Sequence, residues 1–223
     1  MSNIKKFDLL IAIYIFCIVA AELMGGKTFY LFNIGSYRLN ASVAIFLMPM
    51  IFTINDIIVE VFGKARAKSV IKSSLVVITL LILFSILATI LPPSTRFLPN
   101  EKAYDTIFSI SIRFSLASLT SFILAEFADV FIFAKIREKF GKGRLWLRNN
   151  LSNFIAQFLD TAIFMTLAFY ALDKPFANNY AFIAGLVLPY WLLKCAMSVF
   201  GTPFTYLGVS WLRKNDESKV DKN

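Results

Sequence analysis

The chain has 223 residues, 58% of them hydrophobic and 17% charged, with 24 phenylalanines. Soluble domains carry about 25% charged and about 45–50% apolar residues, so a water-soluble domain of this length could not cover its apolar surface. A disordered chain is excluded by the same excess. The net charge of +9 would suggest nucleic acid in a soluble protein. In this composition it reads as basic loops on one side of a bilayer, with no nucleic-acid partner.

A helical span needs about 20 apolar residues, and six fit. The expected fold class is an all-α integral membrane bundle of six transmembrane helices, one membrane domain over residues 1–223, with spans near 9–24, 41–61, 70–91, 106–135, 151–172 and 180–212. The first follows Lys5 and Lys6; Val19-Ala20-Ala21 could serve as a signal-cleavage site, but a retained first helix balances the topology. Between the first two spans, Thr28–Phe32 and Tyr37–Leu39 flank the turn residues Asn33-Ile34-Gly35-Ser36, which reads as a small hairpin at the membrane face or a plain loop. Pro49 is the candidate kink of the second span, and Pro92-Pro93 stops the third. The fourth and sixth runs exceed the ~30 Å hydrocarbon core, so they tilt, break or protrude. Pro189 and Gly201-Thr202-Pro203 are the natural interruptions of the sixth. With the N-terminus inside, sixteen of the 23 Lys and Arg fall in inside segments and five in outside loops, so both termini are expected in the cytosol.

Burying an ionisable side chain in a bilayer costs at least ~2.5–3.5 kcal/mol on insertion scales. The apolar runs nonetheless carry Glu22, Asp56, Glu60, Arg113, Glu126, Asp129, Asp160 and Lys194, with Gln157 as a polar neighbour. Asp56 and Glu60 are four apart; Glu126 and Asp129, and Gln157 and Asp160, are three apart, so each pair shares a helix face. Counting from the flanking basic residues puts these three helices' polar groups in the inner half of the membrane, at comparable depth. Lys194 is the expected counter-charge. Ala125–Phe133 echoes Ala156–Phe164 in the opposite direction of travel, as inverted pairs around a transport site do.

Structural roles compete for some of these groups. Glu60 can pair with Lys64 one turn on, Glu22 can snorkel from near its helix end, and Arg113 can neutralise an acid during insertion. Asp56, Asp129, Asp160 and Lys194 are harder to assign to structure alone. There is no histidine, which removes the usual proton relay and the commonest metal ligand. Cys17 and Cys195 lie inside apolar runs as small hydrophobes. No metal site, cofactor or catalytic motif is expected: H-E-x-x-H, G-x-S-x-G and the Walker A sequence are all missing.

Several motifs then fall in order. Met48-Pro49-Met50, Asn55-Asp56 through Glu60, Phe62-Gly63 and Arg66-Ala67 resemble the Pro…GD-x-x-x-E-x-YG-x-x-RA signature of the bacterial queuosine precursor transporters, a family earlier described as vitamin-uptake transporters. Arg148-Asn149, Ser152, Gln157, Asp160-Thr161 and Phe164 are similar to its RN-x-x-S…Q-x-x-DT-x-x-F block, and Leu192-Leu193-Lys194 with Thr202-Pro203 and Thr205-Tyr206 to its LLK…TP-x-TY ending. The resemblance runs from about Glu22 to Leu212. Departures are Glu126 and Asp129, where the family commonly has Gln and Asn, and Glu22, where Asn is expected; they make the site more acidic and favour a cationic ligand.

The resemblance implies a non-enzymatic importer in the bacterial inner membrane, for a 7-deazaguanine: the cyano precursor, the aminomethyl precursor or queuine. The residue chemistry agrees. A carboxylate accepts from a guanine-like ring N–H and its neighbouring amine together, and Gln or Lys donates to the ring carbonyl. The expected substrate-binding residues are Asp56, Asp160 and Lys194 first, then Glu60, Glu126, Asp129 and Gln157, with Trp191 or Tyr190 stacking on the base. The alternative is a substrate-capture subunit served by a separate ATPase. A homodimer stays open.

Overall fold

The computed structural model describes residues 5–35, 37–140, 145–200 and 202–213. Six α-helices and one β-hairpin make the fold: α1 (Lys6–Met24), β1 (Thr28–Ile34), β2 (Tyr37–Ser42), a 3-10 turn (Val43–Phe46), α2 (Met48–Ile90), α3 (Glu101–Phe140), α4 (Leu145–Phe169), α5 (Phe176–Phe200) and α6 (Thr202–Arg213).

Among the described residues, five helical segments are long and apolar enough to cross a membrane: Lys6–Met24, Val43–Gly63, Ala65–Ile90, Leu98–Ala125 and Phe176–Ala196. The apolar part of α4, Phe154–Phe169, is shorter. Large apolar side chains such as Phe84, Ile90 and Phe127 are about 70% exposed, the surface a lipid-facing bundle presents. The buried positions between helices are often small: Cys17, Ala117, Ser74, Ser85, Ser115 and Ser121. Small residues let helix backbones approach where lipid gives no hydrophobic drive to association. Ser74 and Ser121 return their hydroxyls to carbonyls of their own helices, and Ser111 also bonds across to the Leu23 carbonyl of α1 at 3.1 Å.

The second and third expected spans are continuous with each other through α2, and the kink lies at Gly63 rather than Pro49. Pro49 sits in the first turn of α2, where its missing N–H costs nothing. Gly63 has φ +80° and ψ 166°, a backbone region open essentially to glycine alone. The chain therefore turns between two membrane-length segments without a loop. Pro189 does not end α5. At the α4–α5 turn, buried Asn179 closes a two-way bond with Ala171, accepting from its N–H and donating to its carbonyl. Arg113 donates to the carbonyls of Leu167 and Tyr170 at the end of α4. Its positive charge thus caps a helix C-terminus, where the dipole favours it.

The foot of the hairpin is packed into the bundle, while Tyr30, Phe32, Asn33 and Arg38 toward its tip are exposed. Its strands pair antiparallel from Thr28↔Ser42 to Ile34↔Tyr37, with an irregularity at Leu31 and Gly35 at φ 58° in the turn. Leu39 and Ala41 are buried. Ala41 packs with Met165 of α4 and with Leu186 and Tyr190 of α5. A Cβ on Gly185 would lie 2.5 Å from the Arg38 carbonyl, so only glycine lets β2 approach α5 this closely. Gly26 abuts Ile110, nine residues past the start of α3, and Ser42 abuts Tyr190, fourteen past the start of α5. At 1.5 Å per residue those points lie about 13 and 21 Å along the two helices. The hairpin thus runs beside their first halves, and α1 stops short of that end of the bundle.

Candidate functional site

Beneath the foot of the hairpin is a cavity of about 330 Å³, at the lower end of the range for small-molecule sites. Both halves of α2 and helices α1, α3, α4 and α5 line it. Its wall is mostly apolar and aromatic, with Tyr14, Phe52, Phe114, Phe122, Phe164 and Tyr190. Its polar groups come from Asn55, Ser42, Ser74, Ser118, Ser121 and Thr161, and its charges from Glu22, Asp160 and Lys194.

Asp160 on α4 and Lys194 on α5 form an ion pair, Nζ to Oδ2, at 2.7 Å. Lys194 is 11% exposed at the side chain and Asp160 30%. The ammonium is thus sheltered while the carboxylate keeps open acceptor sites toward the cavity. Next to Asp160, the Thr161 hydroxyl is turned back onto the Gln157 carbonyl at 2.8 Å.

One turn before Lys194, the Tyr190 hydroxyl donates to the Ser42 carbonyl at 3.0 Å. The Ser42 hydroxyl in turn donates to the Gly25 carbonyl and accepts from the Ala44 N–H. Gly25 is three residues past Glu22. Hydrogen bonds therefore tie α5, one turn before Lys194, to the foot of the hairpin and to the end of α1 just past Glu22. Glu22 is 6% exposed, and its Oε2 has no hydrogen-bond partner among the described residues. It faces Ser118 and Ser115 of α3.

The structure brings together three of the expected residues, Asp160, Lys194 and Tyr190, and adds Glu22. Asp56 and Glu60 are exposed and do not line this cavity; Asn55, one residue earlier, does. Gln157 is half-buried outside the lining. The side chains of Glu126, Asp129 and Lys64 lie outside those described. Trp191 is also outside the lining: its Nε1–H donates to the Phe154 carbonyl at 3.2 Å and its ring meets Phe158 edge-on, 5.5 Å between centroids. Tyr190 is the aromatic neighbour of Lys194 that reaches the cavity. Asn55 and Ser42 were within sight of the motifs, but only the helix rotation and the hairpin's position select them.

A helical bundle with exposed apolar walls and a partly open cavity that carries buried charge is the build of a multi-pass membrane protein. Residues 42–208 match the model of a family described as "Putative vitamin uptake transporter". The chain is 30% identical over 207 residues, 91% of its length and 84% of the relative's, to a Bacillus subtilis (strain 168) protein named "Probable queuosine precursor transporter". It is 26% identical over 129 residues, 57% of its length and 52% of the relative's, to a Haemophilus influenzae Rd protein of the same name. No solved structure matches the chain. The chain belongs to this family of membrane transporters, which is not a family of enzymes.

Proposed function

We propose that this protein imports queuosine precursors across the bacterial inner membrane for tRNA modification, with both termini in the cytosol. The substrate would be a 7-deazaguanine: the 7-cyano or 7-aminomethyl precursor, or queuine. Its six crossings would be α1, the two halves of α2, α3, α4 and α5, the last extended by α6. The relatives' name supports the substrate class.

The observation that carries the mechanism is the Asp160–Lys194 pair in the cavity wall. A guanine-like edge offers two adjacent donors beside a carbonyl acceptor. Asp160 accepts the donors and Lys194 turns to the carbonyl, so an ion pair is exchanged for charge-assisted hydrogen bonds of comparable strength. Both charges stay compensated throughout, which keeps the desolvation cost of loading small. The flat base lies between aromatic walls, with Tyr190 and Phe52 as its neighbours. Alternating access around this fixed point completes transport, with α4 and α5 moving against α1 and α2. Glu126, Asp129 and Gln157, together with exposed Asp56 and Glu60, would serve the route from the cavity to the cytosol.

The test is uptake of labelled queuine and of both precursors by a host that cannot make queuosine and carries this chain alone. Queuosine appearing in the host's tRNA, and abolished by Asp160→Ala at equal membrane abundance, is the expected result. Wild-type protein in the membrane without uptake would overturn autonomous import and favour a capture subunit that needs an ATPase.

A further inference from the structure

The cavity's charges do not balance. Among the described residues its wall carries Glu22, Asp160 and Lys194. Lys194 is committed to Asp160 at 2.7 Å. Glu22 has no counter-charge, is 6% exposed, and leaves Oε2 without a hydrogen-bond partner. An ionised carboxylate in that position is costly unless a cation arrives. On one side it faces Ser118 and Ser115, both on α3. Ser115 is 1% exposed, and among the described residues its hydroxyl has no neighbour to bond other than this carboxylate. Buried polar groups in a folded protein are normally satisfied, so a buried carboxylate at a cavity wall, with only neutral hydroxyls beside it and one oxygen left over, marks a place for a ligand group.

The chemistry of that group follows from the donors and acceptors. A carboxylate oxygen and serine hydroxyls accept N–H bonds, and the net charge of the wall is negative. We propose that Glu22, with Ser118 and Ser115, forms a second subsite in the cavity that takes a protonated amine on the carried molecule. Resting on the reading of the cavity as a 7-deazaguanine site, this makes Glu22 the residue that selects the aminomethyl base, or the secondary amine of queuine, over the nitrile. The base edge is held at Asp160 and Lys194, and the substituent reaches across to Glu22. Loading an amine then neutralises the cavity, whereas a nitrile leaves Glu22 uncompensated.

The experiment measures uptake of labelled 7-aminomethyl- and 7-cyano-7-deazaguanine by wild type, Glu22→Gln and Glu22→Asp. A hydrogen bond to a charged group is worth about 1.5–3 kcal/mol, so Glu22→Gln should lower uptake of the amine about tenfold or more. It should leave the nitrile within about twofold of wild type, and Glu22→Asp should restore part of the preference. Retained nitrile uptake also reports that the variant has folded. A second measurement needs no variant. Unlabelled aminomethyl base should compete for wild-type uptake at least about tenfold better than the neutral hydroxymethyl analogue of the same shape. Equal loss of both substrates in Glu22→Gln, or equal competition by the two analogues, overturns the subsite and assigns Glu22 to ion coupling or to packing. A wild-type protein that carries neither precursor overturns the base reading and the subsite with it.

Discussion

The two carboxylates of the cavity wall are in opposite situations. Asp160 sits against a lysine that holds it at 2.7 Å. Glu22 sits among serines and aromatic rings with an oxygen unpartnered. Paired charge in a low-dielectric interior stabilises only as a unit: remove one member and the other is stranded. Unpaired charge is a standing cost that function must justify. The same residue type therefore answers mutation with opposite sign at the two ends of one cavity.

Four single substitutions and one double variant sharpen or break that contrast. The largest effect is expected for Lys194→Ala, which strands Asp160; breaking a buried pair costs about 3–5 kcal/mol. Melting of the detergent-solubilised protein should drop steeply and uptake should vanish. The double variant Asp160→Asn/Lys194→Gln should regain the melting temperature without regaining uptake. Glu22→Gln should move stability the other way. Relieving an uncompensated buried charge should raise the ligand-free melting temperature, by a gain on the order of 1–3 kcal/mol; a fall would mean that Glu22 has a partner in the membrane. Tyr190→Phe, which removes the hydroxyl tying α5 to Ser42, should cost about 1 kcal/mol and reduce uptake of all substrates alike. The smallest effect on substrate affinity is expected for Asp56→Asn, since Asp56 is exposed and outside the cavity. The half-saturating concentration for uptake should stay within about twofold, whatever happens to the maximal rate.

The sequence exposed the paired end of the site better than the unpaired one, for a physical reason. Asp160 and Lys194 lie deep within apolar runs, where a charge needs a partner, so their meeting could be anticipated. Glu22 lies two residues from the end of α1 and reads as an interface residue that can reach water. It is buried against α3, beside Ser115 and Ser118. The two short apolar runs around Asn33–Ser36 left a hairpin and a plain loop equally open, and the structure has the hairpin. Its depth was not legible, because depth depends on Gly185 and Tyr190 more than a hundred residues away. The exchange of Asn55 for Asp56 in the lining is a matter of helix rotation: one residue is about 100°, and spacing fixes which groups share a face but not where that face points. The kink went to Pro49 on general grounds. Proline at a first helical turn is harmless, while Gly63 adopts a conformation that composition does not reveal.

The hairpin also sets an order of events during biogenesis. A pair of strands cannot enter lipid alone, because its outer edges keep unpaired N–H and C=O groups. Helices α1 and α2 satisfy their own backbones and can cross as they emerge. Thr28–Ser42 must wait for α5, whose Tyr190 is 148 residues downstream of Ser42. Until then the part of the cavity wall that α5 supplies, Tyr190 and Lys194, is missing. The chain is therefore inserted before it is assembled, and a product truncated ahead of Phe176 would keep its early helices in the membrane while lacking that part of the wall.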